Sequence, residues 1–313
     1  MRICIVGAGA LGSTIGGTLA EAGSDVWLVD QFAAHVEAIN TSGLRLLEEG
    51  NERAVRVNAH TTCEGIGPAD LVIVLVKSFH TRAAIEAALP LIGSRTMVMS
   101  IQNGLGHEDI LSEVIGSDRV LAGKTYVGGV LLGPGHVRIG VRGKETLIGE
   151  LDGRITERVK SVAAEFERAG LQTTVSDNIV GTIWDKLLIN VATGAICAIT
   201  RLPYGELYRV PEVEAAAIAA VEEAIAVARA RGVRLSIADA RFAWVKAAEG
   251  LPREFKTSML QSLEKGQPTE IDFINGAVVR AGDRAGVPTP VNATLVACIK
   301  GIERGLPSVS KAA

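Results

Sequence analysis

An α/β amino-terminal half followed by an all-helical carboxyl-terminal half is the architecture this sequence predicts, and three observations predict it. The chain opens in the order strand, glycine turn, helix, strand, acid. Further apolar runs then alternate with helical segments, as in a parallel sheet covered on both faces. From Asp177 onward almost every segment reads as helix, broken at proline and glycine.

Residues 2–6 form a short apolar run suited to a strand buried on both faces, ending on Gly7-x-Gly9-x-x-Gly12, after which residues 13–21 can run as a helix. Residues 25–29 supply a second strand, and Asp30 stands 18 positions beyond Gly12. This order meets the context test for a dinucleotide fingerprint and predicts a Rossmann-type domain. Gly7 allows the tight turn, Gly9 has no Cβ to block a pyrophosphate, and Gly12 lets the helix lie close to the sheet. The first helical turn, with Ala10, Leu11 and Gly12, turns its N–H groups and the positive end of the helix dipole to the phosphates.

Asp30 can accept hydrogen bonds from both hydroxyls of an adenine ribose, as NAD requires, whereas a 2′-phosphate would meet like charge. At ~5 Å and an effective dielectric of ~20 the repulsion is roughly 3 kcal/mol per unit charge. The next residue, Gln31, offers no compensating cation. NAD is therefore favoured, with NADP as the alternative.

Residues 71–76 are a fully apolar strand running into Lys77-Ser78, and residues 96–101 are another, running into Gln102-Asn103-Gly104. Such strand ends form the carboxyl edge of the sheet, where ligands bind in open α/β folds. Residues 120–132, 137–141 and 145–149 read as further strands in a more antiparallel pattern that finishes the sheet. An amphipathic helix over 155–169 and a short strand over 172–175 close this half. The predicted domains are 1–176, dinucleotide-binding, and 177–313, helical.

With 313 residues, 48% of them hydrophobic, two moderate cores are expected. A net charge of −3 with no basic stripe argues against nucleic acid. No charged leader precedes the first strand and no uninterrupted apolar run reaches membrane length, so a cytoplasmic protein without a membrane partner is expected. Cys4, Cys63, Cys197 and Cys298 are widely spaced and the five histidines scattered, so neither disulfides nor a metal site is expected.

Lys186 and Asn190 lie one helical turn apart on one face, with Gly194 one turn further on. Together with the glycine turn, Lys77-Ser78, Gln102-Asn103-Gly104, residues 257–261 and residues 269–276, this pattern resembles the ketopantoate reductase (2-dehydropantoate 2-reductase) family over nearly the full length. The resemblance implies reduction of a 2-keto acid by a nicotinamide cofactor in a cleft between the domains. Matched position by position, it implies Lys186 as the catalytic lysine and Glu270 as the acid beside it. It further implies Asn103 near nicotinamide and substrate, Ser258 on the substrate carboxylate, Asn190 as a substrate-contacting amide and Lys77 on the cofactor side. Three positions depart from the family pattern: Gly194, Tyr204 and Phe255 stand where amides are expected. The pocket is therefore expected to be wider and more apolar, which leaves room for a bulkier 2-keto acid of the kind used by mandelate-type dehydrogenases.

A cation at Lys186 suits the chemistry, since the carbonyl oxygen gathers negative charge as hydride arrives. Bland roles stand beside these: Lys186 pairing with Asp185, Thr269 capping a helix that starts at Glu270, Ser258 capping another. The other classes are a dinucleotide sensor without chemistry and a 3-hydroxyacid or glycerol-phosphate dehydrogenase, which residues 257–260 and 269–276 suit less well. An apolar face on residues 211–231 would suit a homodimer.

Overall fold

The computed structural model describes residues 1–306; the end of the predicted helical region, 307–313, lies outside the described residues. The chain forms two compact units, one of residues 1–102 and 107–179, the other of residues 103–106 and 180 onward.

In the first unit the elements run β1 (Arg2–Val6), α1 (Ala10–Glu21), β2 (Asp25–Val29), α2 (Ala33–Ser42), β3 (Leu44–Glu48), β4 (Asn51–Val55), β5 (Asn58–His60), β6 (Leu71–Val74), α3 (Thr81–Ala87) and β7 (Met97–Ser100). They continue with α4 (His107–Ile115), β8 (Val120–Thr125), β9 (Gly128–Gly133), β10 (His136–Gly140), β11 (Thr146–Glu150), α5 (Glu157–Arg168) and β12 (Thr173–Val175). Eight strands form the main sheet in the order β12-β11-β8-β7-β6-β1-β2-β5, parallel except where β11 meets β8. β6 and β7 are buried at every residue, which explains why they read as unbroken apolar runs. Alternate residues serve the two faces. Ile3, Ile5 and Ile73 join α1 and α5, while Cys4, Val6 and Val74 join Ile85 of α3 and Leu111 of α4.

One expectation fails here. β9 and β10 do not finish the main sheet; with β3 and β4 they make a second, four-stranded sheet in the order β4-β3-β10-β9. The join is the parallel pairing of β10 with β3, about ninety residues apart in sequence, which local periodicity cannot reveal. Helix α1 lies between the two sheets, and adjacent glycines let both approach. A Cβ on Gly16 would come within 2.5 Å of Leu28 in β2, and one on Gly17 within 2.9 Å of Leu44 and Leu46 in β3.

The second unit contains α6 (Ile179–Thr200), α7 (Tyr204–Leu207), α8 (Pro211–Ala230), α9 (Ala240–Ala248), α10 (Ser258–Glu264), α11 (Asn275–Ala285) and α12 (Pro290–Arg304). Its core gathers Leu187, Leu188 and Val191 of α6 with Val221 and Val227 of α8, Leu260 of α10, Val278 of α11 and Ile299 of α12. α6 has 22 residues and a mean hydropathy of 1.3, so by length and composition it could span a membrane, although Asp185 and Lys186 interrupt its apolar run. Of that apolar window 67% is buried inside the protein. A helix surrounded by other helices is apolar on most of its circumference for the same reason a lipid-facing one is.

Candidate active-site residues in the two units

In the first unit β1 pairs with β2 on one side and β6 on the other, so the strand order reverses at β1. A crevice outside the carboxyl ends of the strands is expected at such a switch point. Gly7 stands there with φ +102°, its N–H donating to Val29 O at 2.8 Å, and a Cβ would lie 2.7 Å from the Leu75 backbone. A Cβ on Gly12 would sit 2.0 Å from the Gly7 carbonyl oxygen, so this position admits glycine alone. Gly9 differs, because a Cβ there would meet nothing within 4 Å. The two outer glycines close the turn against the protein and the middle one leaves a bare, open backbone. That cradle fits a pyrophosphate. Gly9 is also the N-cap of α1, no side chain caps it, and no acid occupies the first turn, so the first N–H groups keep their positive end available.

Asp30 follows β2 and is half-buried. Its Oδ1 accepts from the Phe32 N–H at 2.9 Å and its own N–H donates to His60 O at 3.1 Å. These bonds hold the carboxylate at the strand end. Lys77 is exposed at the start of a 3₁₀ turn, Ser78–His80, just past β6. The Gln102 side chain joins two strand ends: its Nε2 donates to Val76 O at 2.7 Å and to Thr81 Oγ1 at 3.0 Å, and its Oε1 accepts from Ser100 Oγ at 3.0 Å. The sequence marked Gln102 as a polar strand end without showing this duty, which depends on β6 and β7 being neighbours.

In the second unit α6 places Lys186 and Asn190 on half-buried positions among buried Leu187, Leu188 and Val191, with Gly194 buried one turn on. Asp185, 8% exposed, reaches a segment some fifty residues further along the chain. It accepts from the N–H groups of Ser236 and Ile237 at 3.1 and 2.9 Å and from Ser236 Oγ at 2.5 Å. This anchors the middle of α6 to the segment before α9, a role the sequence did not disclose. At Gly194 a Cβ would find only Met259 Cε at 3.6 Å, so a larger group there has room.

Tyr204 is 6% exposed, its hydroxyl shares a hydrogen bond with Thr193 Oγ1 at 2.9 Å, and its ring lies 4.9 Å from that of Phe255. Burial pushes the Tyr204 hydroxyl up to about 12, against the pull of the Thr193 bond.

Thr257, not Ser258, caps α10: its Oγ1 accepts from the Leu260 N–H at 3.3 Å, and Ser258 is the exposed first helical residue. The expected α-helix start at Glu270 is instead a 3₁₀ turn, Ile271–Phe273, with Glu270 at its N-cap and α11 beginning only at Asn275. Thr269 Oγ1 accepts from the Ile271 N–H at 3.2 Å while donating to Glu303 at 2.7 Å. Asp272 pairs with Lys300 at 2.5 Å. Asn103 belongs to this unit through the segment 103–106, which is seated on the same turn: the Leu105 N–H donates to Phe273 O at 2.9 Å. Gly104, φ +98°, passes so close that a Cβ would lie 2.4 Å from that oxygen.

A glycine turn at a sheet switch point with an acid closing the next strand defines the class of dinucleotide-binding α/β proteins. Residues 3–153 match the family model described as ketopantoate reductase PanE/ApbA, and residues 178–303 match its C-terminal counterpart. A 2-dehydropantoate 2-reductase of Halobacterium salinarum is 36% identical over 308 residues, 97% of this chain and 99% of the relative. Among solved structures, a PanE/ApbA family ketopantoate reductase from Ralstonia eutropha superposes with a TM-score of 0.89 at 40% identity, covering 98% of this chain and 99% of that one. A ternary structure of D-mandelate dehydrogenase with NADH and anilino(oxo)acetate superposes with a TM-score of 0.90 at 29% identity, covering 98% and 99%. The chain belongs to the ketopantoate reductase family.

Proposed function

We propose that the protein reduces a 2-keto acid to a 2-hydroxy acid with a nicotinamide dinucleotide, in the manner of a 2-dehydropantoate 2-reductase. The observation that carries the reading is the bare cradle at Gly9, closed by Gly7 and Gly12, in a chain that matches this family over residues 3–153 and 178–303. Gly7, Gly9, Ala10, Leu11, Gly12, Asp30, Lys77 and Asn103 hold the dinucleotide, which when bound supplies hydride to the substrate carbonyl carbon. Lys186 meets the charge gathering on the carbonyl oxygen and donates the proton, with Glu270 orienting it or the product hydroxyl. Ser258 holds the substrate carboxylate, and the amides of Asn190 and Asn103 contact the substrate. Asp30 supports NAD over NADP. The exposed Ala215 and Ala216 of α8 support a homodimer, and four free cysteines support a cytoplasmic setting.

A second reading keeps the reaction and changes the substrate. The room at Gly194 and the likeness to a mandelate dehydrogenase favour a 2-keto acid with a bulky apolar side chain. Oxidation of NADH and NADPH against ketopantoate, phenylglyoxylate and branched 2-keto acids separates the two, with Lys186→Ala as control. Turnover of ketopantoate alone excludes the second reading. Dinucleotide binding without turnover of any keto acid excludes both and favours a sensor. A strong preference for NADPH overturns the role given to Asp30.

A further inference from the structure

His35 sits in α2, outside every residue assigned above, and is 1% exposed. Its Nδ1 receives the N–H of Gly135 at 2.9 Å, in the turn between β9 and β10. A backbone N–H can only donate, so Nδ1 carries a lone pair and a neutral ring bears its hydrogen on Nε2. Nε2 lies 3.1 Å from Ser13 Oγ and therefore donates to it, and the Ser13 hydroxyl in turn donates to Ala8 O at 2.7 Å. Ala8 is the residue between Gly7 and Gly9. A directed chain thus runs from the second sheet, through a buried histidine and a buried serine, to the middle of the glycine turn.

We propose that His35 is a positioning residue for the dinucleotide turn, holding the Ala8 carbonyl through Ser13 so that the Gly9 side stays open. This rests on the reading that the turn receives a dinucleotide. The ring works only when neutral, because a proton on Nδ1 would face the Gly135 N–H, donor against donor, and leave both buried and unsatisfied. Burial holds the imidazole below its ordinary range, outweighing the Asp30 carboxylate and the Ala8 carbonyl, which pull it up. The other titratable groups on elements packed against α2 have partners elsewhere. His60 of β5 lies against Trp27, Arg45 of β3 pairs with Glu52, His136 Nε2 of β10 lies 3.3 Å from the same carboxylate, and Glu48 pairs with Arg53. The native turn therefore favours the neutral ring, and its contribution is present above the ordinary histidine pKa and lost as pH falls through the lowered one.

The test is calorimetric titration of NAD⁺, or of NADP⁺ if that binds tighter at pH 7.5, into the wild type, His35→Gln and Ser13→Ala over a series from pH 7.5 down to 4.5. A glutamine amide can still donate to Ser13 and cannot titrate. The wild type is expected to lose affinity progressively as pH falls below the ordinary histidine range, while His35→Gln binds within about threefold of wild type at pH 7.5 and shows no such loss. Ser13→Ala, which removes one oxygen and serves if His35→Gln does not fold, is expected to weaken binding about fivefold to tenfold at pH 7.5 with KM for the dinucleotide raised and kcat retained. Persistence of the wild-type acid loss in His35→Gln, or wild-type affinity in Ser13→Ala, overturns the proposal. Absence of binding by either dinucleotide to the wild type at pH 7.5 overturns the cofactor reading on which it rests.

Discussion

Helices α1 and α6 are both apolar and mostly buried, yet the roles proposed for them are opposite. α1 turns its polar side chains back on its own backbone or the turn before it: Ser13 bonds Ala8 O, Thr14 bonds Ala10 O and Thr18 bonds Thr14 O. What it offers a ligand is main chain, the N–H groups after Gly9. α6 also bonds back on itself, through Thr200 to Ile196 O, but it sends Asp185 to Ser236 and Ile237 and Thr193 to Tyr204, and what it is proposed to offer is the side chains of Lys186 and Asn190. A backbone site is specified by what is missing, a Cβ. A side-chain site is specified by what is present and by the remote contacts that hold its helix in place.

The sharpest test of that contrast is Lys186→Ala. On the proposed mechanism it lowers kcat by 10²–10⁴-fold while the dinucleotide Kd stays near wild type; stopped-flow turnover with parallel calorimetry reads both. Equal loss of binding and turnover would mean that the lysine belongs to the cofactor half. Next in size is Asp185→Ala, which leaves the buried Ile237 N–H and the part-buried Ser236 N–H without their acceptor and is expected to cost about 2 kcal/mol in urea unfolding. A change under about 1 kcal/mol would show that α6 does not need its remote anchor.

Within the glycine turn, Gly12→Ala drives a methyl against the Gly7 carbonyl and is expected to cost about 1–3 kcal/mol of stability. Gly9→Ala meets no atom, so stability should stay within about 1 kcal/mol while dinucleotide affinity falls about tenfold. If both variants lose stability alike, Gly9 is structural and the open cradle is not the binding element.

The smallest effect concerns pH. Burial opposes ionisation of Glu150 at the end of β11, but hydrogen bonds from Arg158 and Thr156 outweigh it and hold the carboxyl below its ordinary range. A depressed folded pKa gives stability that is present above the ordinary glutamate value and lost as pH falls through the folded one. Arg158→Ala should flatten the decline in stability below about pH 4.5. An unchanged acid limb would locate that decline in other carboxylates.

Much of this was legible in the order of residues. The glycine turn with Asp30, the apolar strands β6 and β7, and the helical run after Asp177 are set by short-range rules: no Cβ at a tight turn, strands buried on both faces, helices ended by glycine and proline. Lys186 and Asn190 share a face because they are four residues apart, and that needs no tertiary information. Only the folded chain decided the rest. Whether β9 and β10 join the main sheet depends on which strand is free to pair with them. Which of Thr257 and Ser258 caps α10 depends on where the backbone leaves its extended conformation. That Asp185, His35 and Gln102 each hold together segments far apart in sequence follows from contacts that chain order does not encode. A side chain's own conformational preference is local, but its hydrogen-bond partner is whatever polar group the fold brings within about 3 Å.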